Sequence, residues 1–536
     1  MRKRLIYITF FILNVFLVSN LKAQFQTSVS NTLRYGSGKQ QLGDINRTLV
    51  YREDLMDIKF RLPYNFNAGV RLLYDAPPEV GKTFKGLSRR FIEYSNNDLY
   101  LRAGNFSELY GKGLAINLFE NRGLAYDTWA DGIKAGYKIG NFVTSLLYGN
   151  IEFNDIVISR PNEEYTLTGG NFAYDFNHYF SLGISYVNAK GKIPLEGIEY
   201  NLTAQIPEIY FSLDVEKFKW NVDWSYKKTD VNNYGSSIGR ALYSSLSYST
   251  EGLGIVLDYK NYLFDERDPI ERYDYTRPTR MLPFQNPPIV QKEHSYILLS
   301  RSIHEIDFND EVGFQLEVFY SPADETYINF NASLASRHDF YQFNSSAFSF
   351  KKENRSANFL PSTEDKYSPF WEYLLEVEQS FGFDTMLNLG IARRENVLYN
   401  DYTGSAGSHI IQSTVIPFLA EHTFNEDYSS SLQYEFESVS DNFNSSQPEY
   451  TNHYLSVVGS FFSQFNLNLR YEYTTNEFDV SGKQNWLTVE AGYRIGYSHN
   501  ISLSYGSERG GQTCTNGVCR YILPFEGFKM TFLSKI

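Results

Sequence analysis

The chain of 536 residues is poor in the residue types that bind metals or act as nucleophiles. It has two cysteines, eight histidines and five methionines, and its histidines show no spacing typical of metal ligands. Outside the amino-terminal segment, no stretch is apolar over the roughly 20 residues that a membrane-spanning helix needs. The sequence therefore predicts neither a metal centre nor a helical membrane protein, and it indicates no cofactor.

Basic residues are also too few to match the acidic ones, and four of them lie in the amino-terminal segment. Residues 2–4 are Arg-Lys-Arg, residues 5–18 are almost wholly apolar, and residues 21–23 offer a small-residue cleavage site. This order predicts a Sec-type signal peptide over residues 1–23, the alternative being a retained anchor. Its removal takes four basic residues and leaves 45 against 62 acidic ones, a net charge of −17. That balance argues against nucleic acid as a partner.

Aromatic residues and strict two-residue alternation are what the chain has in excess. It contains 43 Tyr and 42 Phe, and in Phe465–Tyr473 apolar side chains alternate with Asn, Arg and Glu. Successive side chains of a strand point to opposite faces, so such a strand has one apolar and one polar face. Strands of this kind can close into a cylinder with lipid outside and water inside. A soluble propeller or double sandwich is the alternative, but it seldom exposes so many Tyr and Phe.

Short and long connections between the alternating segments follow the order of an outer-membrane barrel, which has short periplasmic turns and long extracellular loops. Tight turns are predicted at 140–141, 177–178, 216–217, 251–252, 383–384, 426–427, 463–464 and 499–500. Long polar connections are predicted at 154–164, 190–205, 229–239, 264–291, 351–369, 397–410, 439–451, 476–483 and 507–522. The order predicts localisation in the cell outer membrane, in contact with its lipid.

The strand count follows from the requirement that both ends of the barrel lie in the periplasm. Residues 340–350, counted as one strand after a tight turn at 337–339, bring the total to an even 26, within a range of 22 to 26. The predicted fold is all-β: a single large antiparallel transmembrane β-barrel over residues 24–536. Its last strand, Gly527–Ile536, is expected to close the ring against Phe25–Tyr35.

The two cysteines flank a strong hairpin signal, because Asn-Gly lies between Cys514-Thr515 and Val518-Cys519. A two-residue turn would place Cys514 opposite Cys519, at a Cα separation that suits a disulfide. We expect a structural disulfide on an extracellular ribbon formed by the last two strands. A redox pair or a metal site is the alternative.

Two irregular segments interrupt the alternation. Residues 105–130, which include Tyr110, Gly111, Lys112 and Gly113, are too apolar for a free loop. We expect them to pack in the lumen or against its wall and to narrow the channel, the alternative being an extra hairpin. Residues 264–291 contain five prolines, among them Pro287 and Pro288, which excludes a strand. They form either a loop that caps or enters the barrel or a solvated surface loop.

One cluster is a candidate catalytic site. Glu293, His294 and Ser295 begin a segment that is expected to run as a strand to Arg301. Neighbouring strand residues face opposite ways, so Glu293 and His294 would not act together, and Ser295 would lack a base. The sequence therefore predicts a protein that is not an enzyme.

Several short motifs resemble those of a known family. They are Gly104-Asn105-Phe106, Tyr110-Gly111-Lys112-Gly113-Leu114, Asp131-Gly132, Asn286-Pro287-Pro288, Glu293-His294-Ser295-Tyr296, Gly510-Gly511, Cys514, Gly517-Val518-Cys519-Arg520 and Gly527-Phe528. Together they resemble an uncharacterised family of large exported outer-membrane barrel proteins of Bacteroidota, a domain of unknown function. The resemblance implies a Gram-negative outer membrane and transfers no functional residues.

These observations favour a channel or transport-related barrel whose substrate is not specified by the sequence. The absence of a recognisable amino-terminal plug domain disfavours an energised nutrient receptor. The alternative is a loop-plugged structural subunit with envelope-assembly or secretion-complex proteins as partners. A membrane-embedded hydrolase acting through Glu293 or His294 is a third hypothesis.

Overall fold

The computed structural model describes residues 25–42, 45–153, 162–195, 198–265, 269, 281–301, 304–515 and 518–536. The predicted signal peptide lies outside these residues, and so do Asn516 and Gly517.

Twenty-four strands of the described chain form one closed antiparallel barrel, as the alternation predicts. Numbered in chain order, the barrel strands are β1 (Gln26–Leu42), β2 (Ile45–Arg61), β3 (Phe66–Asp75), β4 (Phe84–Ser95), β5 (Leu99–Phe106), β8 (Ala130–Ile139), β9 (Phe142–Phe153), β10 (Glu163–Asp175), β11 (Phe180–Leu195), β12 (Ile198–Val215), β13 (Phe218–Val231), β14 (Gly235–Thr250), β15 (Leu253–Leu263), β16 (Glu311–Ala323), β17 (Thr326–Ser336), β20 (Phe370–Phe381), β21 (Thr385–Leu398), β22 (His409–Asn425), β23 (Tyr428–Asp441), β24 (Glu449–Phe461), β25 (Phe465–Thr474), β26 (Asn485–Ile495), β27 (His499–Glu508) and β30 (Phe525–Lys535). Ser30 pairs with Lys535 and Gln40 with Phe525, which confirms the predicted closure of the last strand on the first.

Side chains on the two faces of each strand differ as a membrane barrel requires. On β25, Leu467, Leu469 and Tyr471 are each 41–42% exposed on the outside, whereas Glu472 is 5% exposed on the inside. An outward apolar face and an inward polar face are the arrangement that lipid imposes on a strand. Among the described helices, none is long and apolar enough to cross a membrane.

Residues 340–350, counted in the prediction as a barrel strand, do not belong to the barrel. The separate hairpin of β18 (Phe340–Asn344) and β19 (Ser349–Glu353) lies between β17 and β20, and these two strands pair directly with each other. A hairpin that is separate from the wall can show the same alternation as a wall strand. The count is therefore 24, inside the predicted range.

Two predicted long connections are strand in the structure. Lys190 to Gln205 lies mostly within the paired strands β11 and β12, and Thr229 to Gly239 is interrupted only at residues 232–234. The outward residues of these strand ends are polar because they extend beyond the apolar band, so the composition of these stretches resembles that of a loop. The turn predicted at 499–500 is also displaced, since His499 already begins β27.

Three insertions between barrel strands carry the remaining structure. The first, residues 107–129, contains the two-residue strands β6 (Glu120–Asn121) and β7 (Tyr126–Asp127). The second, residues 264–310, contains the helix α1 (Ile297–Arg301). The third joins β27 to β30 through the ribbon of β28 (Gly511–Thr515) and β29 (Val518–Ile522). Short 3₁₀ turns lie at Asp365–Tyr367 and Gly404–Gly407.

Candidate functional site: two lumenal segments

The first two insertions fold against the inner wall of the barrel. We name residues 107–129 the first lumenal segment and the described part of residues 264–310 the second lumenal segment. The wall side chains that hold these two segments lie on the inward faces of their strands, opposite the exposed apolar residues.

The Gly-Lys-Gly motif of the first lumenal segment lies directly on β12 and β13. The backbone N–H of Lys112 donates to Asp223 Oδ2 at 2.6 Å. Gly111 has φ +49°, and a Cβ at this position would lie 2.2 Å from Asp223 Oδ2 and 2.9 Å from Glu208 Oε1. Glycine is therefore required for the backbone to approach the wall carboxylates this closely.

Apolar side chains of the first lumenal segment are buried against the same wall. Tyr110, Leu114 and Ile116 are at most 1% exposed and belong to clusters that include inward residues of β9 to β15. Burial raises the pKa of the Tyr110 hydroxyl. The first lumenal segment covers the apolar side chains of the inner wall in this region and excludes water from them.

A network of ion pairs holds the tip of the first lumenal segment on β2, β3 and β4. Arg71 donates two hydrogen bonds to Glu120 at 2.8 and 3.0 Å and also pairs with Asp57. Arg89 bridges Glu120 and Asp127 at 2.9 and 2.7 Å. In addition, Arg122 of the segment pairs with wall residue Glu53 at 2.7 Å. Acidic and basic groups of the wall and the segment thus neutralise one another across a cavity of about 280 Å³.

The two lumenal segments are joined to each other. Asn117 Nδ2 donates to the carbonyl of Asn286 at 2.9 Å, and Asn286 Nδ2 donates to the carbonyl of Asn117 at 3.2 Å. Gln285 donates to Leu114 O, and the Tyr126 hydroxyl donates to Pro283 O. The two segments therefore form one lumenal unit, although the contacting residues Asn117 and Asn286 are 169 positions apart in the sequence.

Pro287 and Pro288 lie in the part of the second lumenal segment that faces β15. Pro287 is buried, and the carbonyl of Pro288 accepts a hydrogen bond from the Tyr262 hydroxyl at 2.8 Å. Proline has no N–H, so this stretch can be buried without leaving a donor unpaired at these two positions.

Helix α1 is held at both ends by charged wall residues. The carboxylate of Glu435 on β23 accepts the backbone N–H groups of Ile297 at 2.9 Å and Leu298 at 2.8 Å. At the other end, Arg394 on β21 donates to the carbonyls of Leu299 at 2.7 Å and Leu298 at 3.3 Å. A carboxylate at the amino end and a guanidinium at the carboxyl end satisfy groups that a helix leaves unpaired.

The last residue of α1 forms a further anchor. Arg301 pairs with Glu472 on β25, and Arg509 also contacts Glu472 at 3.0 Å. Burial and the neighbouring Arg509 guanidinium lower the pKa of Arg301 to about 10. Arg301 therefore remains charged at neutral pH, as its ion pair requires.

Glu293 and His294 lie in a loop before α1, so the strand predicted from Glu293 to Arg301 is wrong. The local sequence around Glu293 and His294 is compatible with a strand or a loop. The conformation is determined by contacts with buried wall residues that are distant in sequence. The His294 side chain is 2% exposed and donates from Nε2 to Glu372 on β20 at 2.7 Å, while Glu293 is exposed. In the structure His294 anchors the loop to the wall.

The ribbon that carries the two cysteines differs from its predicted place. Cys514 and Cys519 are opposite each other and disulfide-bonded, as predicted. The ribbon is, however, an insertion between the last two barrel strands, which pair with each other as β27 and β30. It packs on the lumenal unit, since Gln512 hydrogen-bonds to Glu305 and the side chain of Arg301 lies against Gly511.

Sequence reasoning found the segments but missed the wall residues that hold them. Glu208, Asp223, Arg394, Glu435 and Glu472 are inward residues of alternating strands, where polar groups are expected to meet water. The alternation of each strand predicts that these side chains point inward, but no local sequence pattern predicts which lumenal residue each one contacts. In the described chain, no group of three or more His, Cys, Asp or Glu side chains is arranged to hold a metal ion.

Solved structures that resemble this chain are outer-membrane barrels. The siderophore receptor PirA from Pseudomonas aeruginosa is 9% identical, with a TM-score of 0.46, over 96% of this chain and 81% of that one. The FrpB iron transporter from Neisseria meningitidis is 9% identical, with a TM-score of 0.43, over 97% and 83%. The translocation pore of the P pilus usher PapC is 9% identical, with a TM-score of 0.39, over 96% and 99%.

A search among curated proteins found no significant match. A family model, by contrast, matches the chain over residues 1–536. The chain therefore belongs to a family of unknown function, DUF6029.

Proposed function

We propose that this protein is an outer-membrane channel in which the lumenal unit gates the passage of a polar solute. The main support for the proposal is how the lumenal unit is attached. Asp223, Glu435 and Arg394, on the inner face of the barrel, hydrogen-bond to its backbone. The first lumenal segment is also held by a buried apolar cluster, but the contacts between charged wall residues and the backbone of α1 can be released one by one. A gate needs this kind of attachment, because its closed and open states must lie within a few kcal/mol of each other.

The proposal includes export through the signal peptide predicted at residues 1–23 and insertion into a Gram-negative outer membrane. The second candidate is a barrel plugged permanently by the same unit and serving as a subunit of an envelope or secretion complex. The hydrogen bonds at both ends of α1 favour this candidate, because a helix that is held at both ends can remain docked permanently. Neither candidate requires catalysis by His294, whose ring is engaged with Glu372.

Planar-bilayer recordings on the purified protein distinguish the two candidates. We expect wild-type protein to show brief, small openings, and Arg394→Met to lengthen them because α1 loses its carboxyl-end anchor. The matched control is Arg470→Met, since Arg470 pairs with wall residue Glu490 and with neither lumenal segment. Silence of all three proteins, with stable co-purification of an envelope partner, would overturn the channel proposal in favour of the plugged subunit.

A further inference from the structure

The barrel wall has an interruption on its extracellular side, above β5 and β8. The last pair between β4 and β5 is Phe91 with Gly104, and β4 continues upward from there to Phe84. On the other side, the last pair between β8 and β9 is Asp131 with Asn150, and β9 continues to Phe153. Among the described residues, the two taller strands thus flank a gap above the two short ones.

Polar groups bridge the top of this gap and make it a window. Lys82 donates to Asn162 Oδ1 at 2.8 Å, and Asn162 Nδ2 donates to Glu152 Oε1 at 2.8 Å. This chain of contacts joins the loop before β4 to the start of β10 and the end of β9. The lower edge consists of Asn105 and Asp131, which pair across β5 and β8.

A cavity on each side of the wall meets the other at the window. The inner cavity of about 280 Å³ lies among the ion pairs of Arg71, Arg89 and Glu120. The outer cavity, of about 1010 Å³, includes the outer face of β9 to β12 at Asn150, Thr166 and Lys190. Five residues line both cavities: Lys82, Ser88, Arg89, Ala125 and Asp127. The inner and outer cavities therefore adjoin each other at the window.

The outer cavity lies directly above the lipid-facing band. Asn150 is on the same face of β9 as Leu146 and Tyr148, which are 63% and 54% exposed. A ligand in this cavity would have its polar part at the height of the window and any acyl chains against the apolar band below. Its volume is at the upper end of the roughly 300–1,000 Å³ typical of small-molecule sites.

The lining indicates what kind of headgroup would be bound. Among the described lining residues, four basic side chains (Lys82, Arg89, Lys190 and Lys192) are balanced by four acidic ones (Asp127, Asp131, Glu152 and Glu164), so these residues have no net charge to attract a bare phosphate. Asn105, Asn150, Asn201, Thr166 and Thr203 add neutral donors and acceptors. Trp129, with Arg89 stacked 4.0 Å from its ring centre, contributes an aromatic face at the opening. Dense neutral hydrogen bonding with an aromatic face matches a headgroup rich in hydroxyls.

We infer that this window is a binding site for the sugar-bearing headgroup of an outer-leaflet glycolipid, which enters from the side of the barrel. The inference goes beyond the proposed passage of solutes and rests on the proposed insertion in an outer membrane. Arg89 connects the window to the proposed gate, because its ion pairs with Glu120 and Asp127 join the window to the tip of the first lumenal segment. An occupied window would compete for these pairs.

Photocrosslinking in intact outer membranes tests the inference. Benzoylphenylalanine is placed at Ser88 in the window, at Asn485 at the extracellular end of β26, a quarter of the way around the ring from β4, and at Leu467 in the lipid-facing band. After irradiation and purification, adducts are identified by mass, which separates glycolipid from phospholipid and from protein. Unboiled gels select barrels that have folded.

We expect glycolipid adducts at Ser88 in at least tenfold higher yield than at Asn485, and a several-fold loss of that yield on adding Arg89→Gln. Equal yields at the two sites, phospholipid or protein adducts at Ser88, or no adduct there would overturn the inference. Lipid adducts at Leu467 show that the barrel is inserted. Their absence would therefore signal failure of the proposed location rather than of the window.

Discussion

Replacement of Glu435 by Gln tests whether a single wall carboxylate holds the lumenal unit in place. The two carboxylate oxygens accept the N–H groups of Ile297 and Leu298. Glutamine has the same shape but presents one acceptor and one donor, so one of the two N–H groups loses its partner. A hydrogen bond to a charged group contributes about 1.5–3 kcal/mol. A loss of about 2 kcal/mol raises the population of undocked helix roughly 30-fold, since each 1.4 kcal/mol is a factor of ten.

Hydrogen exchange measured by mass spectrometry on the detergent-solubilised protein gives this population directly. We expect the amides of Ile297 and Leu298 in Glu435→Gln to exchange about 30-fold faster than in wild type, as follows from a loss of about 2 kcal/mol. The control is Glu490→Gln, because Glu490 contacts Arg470 and Ser502 of the wall and neither lumenal segment. Unchanged exchange in Glu435→Gln would refute the assignment of Glu435 as an anchor.

Three further predictions address the lipid-facing band, the glycine at position 111 of the first lumenal segment, and the ribbon of β28 and β29. Leu469→Arg should cost ~2–4 kcal/mol on the lipid face and reduce the heat-resistant fraction on unboiled gels, whereas the neighbouring inward change Asn468→Arg should not; equal losses would contradict the assigned faces. Gly111→Ala should expose the first lumenal segment to limited proteolysis because its Cβ meets Asp223, while Gly382→Ala, with φ +65° and nothing within 4 Å, tests the backbone cost alone; equal cleavage of both variants would contradict the steric argument. Cys514→Ser should remove roughly 2 kcal/mol from the ribbon, as expected for so short a loop, and leave barrel formation on gels unchanged; loss of the barrel would show that the disulfide supports more than the ribbon.

The fold was predictable because its main rule is local. In Phe465–Tyr473 each side chain reports its own face, and the same rule repeats around the ring. The errors arose where polar strands leave the membrane. Residues 190–205 resemble a loop although they are strand, and 340–350 resembles a wall strand although it is a separate hairpin. Above the lipid band the outward face meets water and becomes polar, so an apolar outward face no longer marks a wall strand.

The lumenal site was predictable only in part. Excess apolar residues and the glycines at 111 and 113 marked the first segment, and the prolines marked the second. The grip itself depends on pairs such as Lys112 with Asp223 and Ile297 with Glu435, more than 100 residues apart. A pair of this kind has no signature in either local sequence, because an inward carboxylate on a wet wall and one that holds a loop look alike.

The reciprocal amide contact between Asn117 and Asn286 has a consequence for biogenesis. These two residues lie 169 positions apart in the sequence, and α1 contacts wall strands as late as β25. Contacts of such sequence separation form slowly. The lumenal unit is therefore expected to dock late in folding, after the wall strands that hold it have paired.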